Sequence, residues 1–161
     1  MTATWVRRGE RKRIPYENPQ RRRYNTLVLY APEGPAPALD WYGSPQHLTA
    51  DHLLGFLLLR PPCPVPLVIV LDNASFHRSL DVQEALPALW ARRIYLYYLP
   101  PYSPELNAAE RLFRTVKHHE LPERTYPSLP ALADAVESAF ARCETRLFAQ
   151  YQTETQPRLA A

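Results

Sequence analysis

The stretch from Leu67 to Asn73, LVIVLDN, constrains the fold more than any other part of the chain. Five apolar residues, three of them β-branched, follow Pro66 and run straight into an acid and an amide. A continuous apolar run of this length, bounded by turn residues, reads as a strand buried on both faces. Asp72 then leaves the sheet at the strand's carboxyl end, where open α/β sheets gather ligands and chemistry. The same dipeptide is also ordinary turn chemistry, because Asp and Asn side chains bond their own backbone. On this stretch alone both readings stand.

Length and composition narrow the setting. At 161 residues the chain has single-domain size and can bury ~70% of its unfolded surface. Cys63 and Cys143 lie 80 positions apart with no second cysteine or histidine at zinc-site spacing, which argues against a disulfide framework and for a reducing compartment. No run approaches the ~20 apolar residues of a membrane helix, and the arginine-rich start lacks a signal segment, so a soluble cytoplasmic protein is expected. The net charge of +3 is uneven: residues 1–23 hold eight basic residues against Glu10 and Glu17, leaving the rest at −3. A basic arm of this kind suits a polyanion such as nucleic acid, although a solvated tail has the same composition.

In chain order, residues 1–25 lack periodicity and read as an extended loop anchored by Trp5. YNTLVLY (24–30) and ALDWY (38–42), separated by the turn-rich APEGPAP, read as a hairpin. Thr49 can cap a helix carrying Leu53, Leu54, Leu57 and Leu58, ended by Pro61-Pro62 and placed to cover one sheet face. His47 and His52 read as surface or capping histidines. Ser79 can cap a further helix, kinked or split at Pro87, before the strand-like RIYLYYL (93–99). That strand-helix-strand order predicts parallel neighbours. Helical spacing of apolar residues recurs in 107–119 and 129–151.

The second acid of interest is Glu110, in LPPYSPELNAAERLFRTVK (99–117). Asn107 and Glu110 have the spacing of a capping box. At ~100° per residue, Arg114 and Lys117 project within about 40° of Glu110, while Leu112, Phe113 and Val116 cluster on another side. This is the pattern of a salt-bridged solvent face. It is equally the pattern of a carboxylate facing Asp72 with two cations beside it, and two converging carboxylates are hard ligands for a divalent ion. Two such ions ~3.5–4 Å apart can drive phosphodiester displacement.

LDNASFH (71–77) followed by LPPYSPELNAAE (99–110) resembles the catalytic core of mariner-like bacterial insertion-sequence transposases, DDE-superfamily endonucleases with a ribonuclease H-like fold. The resemblance covers nearly the whole chain, with TWVRRGE (4–10) similar to the segment joining the family's first two strands. It implies that Asp72 and Glu110, 38 positions apart, are the second and third metal-binding acids, and that Asn73 and His77 lie close to the active site. Two departures stand out. Ala108 replaces the family's proline, which favours the first helical position. The strand carrying the family's first acid, upstream of the TW segment, and the amino-terminal DNA-recognition region are expected to be missing; neither Asp40 nor Asp51 matches the first acid's position.

The resulting expectation is an α/β chain, a ribonuclease H-like mixed sheet flanked by helices and lacking its first strand. A basic arm spans 1–23, the catalytic domain 24–151 and a tail 152–161. The resemblance implies a DDE transposase that cleaves and transfers DNA with Mg2+ or Mn2+ in a two-metal site held by Asp72 and Glu110. Arg21, Arg22, Arg23, Asn73, His77, Arg114 and Lys117 would meet DNA at element ends and target, in a homodimer, with no membrane or small-molecule substrate. Two other readings remain open: an inactive remnant that binds DNA or a transposase partner, and a stand-alone ribonuclease H-like nuclease with a first acid of its own.

Overall fold

The computed structural model describes residues 22–33, 37–62, 64–121 and 126–155. The expectations for Trp5, the 4–10 segment and Arg21 fall outside them. Strands β1 (Asn25–Ala31) and β2 (Ala38–Ser44) form the expected antiparallel hairpin, with Asn25 opposite Ser44 and Ala31 opposite Ala38. Strands β3 (Leu67–Leu71) and β4 (Ile94–Tyr98) pair in parallel, Leu67 beside Ile94 and Leu71 beside Tyr98.

Local chemistry sets the helices between and after these strands. Helix α1 (Ala50–Leu58) starts at Thr49, whose N–H donates to His52 Nδ1 at 3.3 Å, so His52 is the capping histidine expected. Ser79 Oγ accepts from the Val82 N–H to open α2 (Leu80–Glu84), and Pro87 sits in the first turn of the separate α3 (Leu86–Ala91). The expected split at the proline is therefore present. After α3, Arg93 adopts a left-handed backbone (φ 62°) that turns the chain into β4. Helix α4 (Ala108–Thr115) passes into a π-helical turn at Val116–Glu120, and α5 (Leu129–Thr155) is the longest element.

Two cores result. One packs Leu53 and Leu57 of α1, Val82 of α2 and Leu89 of α3 onto Leu27, Ile69, Leu71 and Ile94. The other packs Leu112 and Val116 with Val136, Ala139, Phe140 and Leu147 of α5 onto Leu39, Val28, Tyr30 and Trp41. Alternate β1 residues thus serve different cores, as the period of two requires. Phe140 is the centre of the second core, stacked on Trp41 at 5.6 Å and edge-on to Phe113 at 6.2 Å. Tyr24 and Trp41 both donate to the Glu137 carboxylate, tying the hairpin to α5. Burial and the bond to Glu137 push the Tyr24 phenol up to about 12.

The structure departs from expectation at β3. Helices α4 and α5 cover β2 and β1 but leave the far face of β3 and β4 open. Val68 and Val70 are therefore 61% and 49% exposed, beside Tyr95 and Tyr97, and β3 is buried on one face rather than both. The sheet also differs. Among the described residues there are two two-stranded sheets instead of one mixed sheet, because no strand joins β1 to β3. Between them lies a largely apolar slot of about 600 Å3, lined by residues 28–31 on one side and Leu67–Leu71 on the other.

Two predictions follow from the α5 side. Phe140 is 1% exposed, so Phe140→Ala should lower the unfolding free energy by ~3–5 kcal/mol in a denaturant titration. Glu120, its side chain 6% exposed, receives hydrogen bonds from Arg142 and Arg146 at 2.8 and 2.5 Å, which hold its carboxyl below the ordinary value of 4.5. A depressed folded value gives stability that is present above the unfolded pKa and lost as pH falls through the folded one. Unfolding measured from neutral to acid pH should show a steeper loss below pH 4.5 for wild type than for Glu120→Gln.

Candidate functional site

The site forms where β3 and β4 end side by side. The Leu99 N–H donates to the Leu71 carbonyl at 2.9 Å, carrying the parallel ladder one step past both strands. Asp72 is the next residue, with its side chain about half exposed. Its Oδ1 accepts from the Ala74 N–H at 3.0 Å, the Asx turn anticipated for Asp-Asn. The Asn73 amide donates to the Leu99 carbonyl at 2.7 Å and so fastens the β3 exit to the β4 exit.

His77 completes the support. It is buried in the 3-10 turn Ser75–Arg78, with Nδ1 2.8 Å from Asp72 Oδ1. A carboxylate only accepts, so the contact is attractive when Nδ1 carries the proton. The Tyr98 hydroxyl donates to the His77 carbonyl at 2.8 Å, and the Arg78 guanidinium lies over the Tyr98 ring at 4.7 Å. One Asp72 oxygen is thus engaged by its own turn and by His77, and Oδ2 has no partner among the described residues.

Beyond β4, Pro100-Pro101 bar any continued ladder. Tyr102 follows with a left-handed backbone (φ 60°) and a fully exposed side chain. A 3-10 turn at Pro104–Leu106 leads to Asn107, whose Oδ1 accepts from the Ala109 N–H at 3.1 Å and caps α4. Glu110 lies in the first turn of α4, where the helix dipole favours an anion. Its carboxylate makes no hydrogen bond or ion pair among the described residues, neither the return bond of a capping box nor a bridge to Arg114 or Lys117.

Asp72 and Glu110 line one cavity of about 210 Å3, together with Asn73, Tyr102, Ser103 and Asn107. Among the described residues that line it there is no lysine or arginine. Arg114 and Lys117 are exposed, and neither lines the cavity. Arg22 donates to the Tyr126 carbonyl, and Arg23 is exposed; neither lines the cavity. Asp40 is ion-paired with Arg60 and is not in the cavity. Tyr102 escaped the sequence reading, where it was one more loop residue; its position after two prolines was the only available signal.

Two carboxylates with amide and hydroxyl oxygens nearby form a hard donor set. It suits one Mg2+ or Mn2+, ions held through one or two carboxylates while keeping several waters. A two-ion cluster calls for more acids, and among the described residues no group of three or more His, Cys, Asp or Glu converges. No described helix is long and apolar enough to cross a membrane.

The family model described as DDE superfamily endonuclease matches residues 1–133. No curated protein and no solved structure matches the chain.

The clamp at the strand exits generates a prediction. Asn73→Ala removes the bond to the Leu99 carbonyl and should cost about 1 kcal/mol. Hydrogen exchange should show faster opening at residues 71–73 and 99, with the α5 core unchanged.

Proposed function

The chain belongs to the DDE superfamily endonucleases, and on that premise we propose that it serves metal-dependent DNA strand cleavage and transfer in transposition, with Asp72 and Glu110 as two metal-binding acids. The observation that carries the reading is the shared cavity: two carboxylates from elements 38 positions apart, both free to accept a ligand. The family makes DNA the substrate and a nuclease the enzyme class. The finer assignments are ours: a mariner-like insertion-sequence enzyme of ribonuclease H-like fold, its catalytic domain over 24–151, acting as a homodimer in the cytoplasm.

In this mechanism Asp72 presents Oδ2 while Ala74 and His77 hold Oδ1, so the carboxylate is oriented before a ligand arrives. Glu110 presents its carboxylate from the first turn of α4, fixed by the Asn107 cap. A bound divalent ion supplies charge for the phosphodiester oxygens and acidifies water. Arg114, Lys117 and the Arg21 to Arg23 cluster meet phosphates outside the cavity, and Asn73 and His77 keep the strand exit in register.

A second reading, a non-catalytic remnant that binds DNA or a transposase partner, is favoured by one observation: among the described residues two acids line the cavity, Asp40 being tied to Arg60. One experiment separates the two. With the full chain and Mn2+, amide signals near residues 72 and 110 should broaden, and plasmid nicking in Mg2+ should fall by ~100-fold or more in Asp72→Asn and in Glu110→Gln. Salt-sensitive DNA binding without nicking would favour the remnant. Unchanged broadening and undiminished nicking in both variants would remove the carboxylates from the mechanism.

A further inference from the structure

We infer that Tyr102 is a stacking platform for an unpaired nucleobase of the DNA strand that enters the Asp72–Glu110 cavity; the inference rests on DNA being the substrate. Tyr102 lines that cavity, is 100% exposed and has φ 60°. The left-handed region is unfavourable for a residue with a Cβ, and a fully exposed ring gains no burial from folding. Neither the backbone nor the side chain of Tyr102 is therefore explained by the stability of the fold. Pro100 and Pro101 fix the approach, and Ser103 Oγ donates to the Pro101 carbonyl at 3.4 Å, so the ring stands on a braced turn at the cavity mouth.

Charge gives the second argument. A phosphate backbone is ordinarily held by Lys and Arg, yet among the described residues the cavity lining has two carboxylates and no cation. A strand reaching the acids is repelled by them unless something other than phosphate attraction holds it. The face of an aromatic ring does this with any base, and its contribution is separate from the salt-dependent one. Tyr102 is the aromatic side chain that the cavity lining offers.

The test needs no metal. The full chain is titrated, in chelator, into a short single-stranded oligonucleotide carrying 2-aminopurine, whose fluorescence falls on stacking. Tyr102→Ala and Tyr102→Gly should both weaken binding by roughly 5- to 150-fold and abolish quenching. Tyr102→Phe and Tyr102→Trp should retain both, with the salt dependence equal in all five proteins. The glycine variant relieves the left-handed backbone while losing the ring, so its agreement with alanine assigns the effect to the ring. Wild-type binding and quenching in Tyr102→Ala would overturn the inference, as would a Tyr102→Phe as weak as alanine, which would place the contact on the hydroxyl. The result is independent of Mn2+ broadening: loss of stacking with intact metal binding sinks only Tyr102, and the reverse sinks only the carboxylate assignment.

Discussion

The parallel pairing of β3 with β4 is the constraint on which the site depends. Because the two strands are parallel and in register from Leu67–Ile94 to Leu71–Tyr98, they finish together, and both chain exits emerge on one edge. The Leu99-to-Leu71 bond and the Asn73-to-Leu99 bond then lock these exits against each other. From the first exit comes Asp72; from the second come the prolines, Tyr102, the Asn107 cap and Glu110. An antiparallel pair would have sent the second exit to the opposite end of the sheet, and the segment between β4 and α4 would have had to run back along the whole pair to bring Glu110 beside Asp72. The distance in sequence between the acids is filled by the crossover through α2 and α3 that a parallel pair requires.

Among the described residues, the two-stranded pairing leaves each strand with one open edge. Residues 28–31 and Leu67–Leu71 line the 600 Å3 slot consecutively, whereas β2 contributes only Ala38 and β4 only Ile94. A face is lined by every second residue. Consecutive lining means that the slot is bounded by backbone edges, with N–H and C=O groups directed across it. Unpaired edges of this sort are the part of a sheet most prone to recruit further strands. A strand in this slot is what would convert two sheets into the continuous mixed sheet anticipated for the family.

Legibility from sequence followed the range of the interaction. The caps at Thr49, Ser79 and Asn107 and the split at Pro87 depend on neighbours within four residues, and each was readable. The parallel pair was readable because crossover topology permits few alternatives. The open face of Val68 and Val70 was not, since it depends on how far α4 and α5 reach across the sheet. An apolar run looks the same whether one face or two are covered. For the candidate site, both acids were marked by motif and strand end. The contact of His77 with Asp72 was hidden by a 3-10 turn whose geometry the letters do not carry.

Charge distribution connects the site to the rest of the molecule. Among the described residues the cavity lining carries negative charge without a neutralising side chain, while Arg114 and Lys117 are exposed outside it. A polyanion is thereby attracted to the protein but not to the cavity itself. Entry then depends on contacts other than phosphate attraction, and a divalent cation held by Asp72 and Glu110 would add charge that offsets the two carboxylates. Glu110 keeps to this division, its carboxylate making no hydrogen bond or ion pair among the described residues. A glutamate in the first turn with an arginine four residues on would ordinarily pair with it, yet Glu110 lines Asp72's cavity instead. Separating the cations from the acids keeps the carboxylates available, and it makes the affinity for DNA and the occupancy of the cavity two independently adjustable properties.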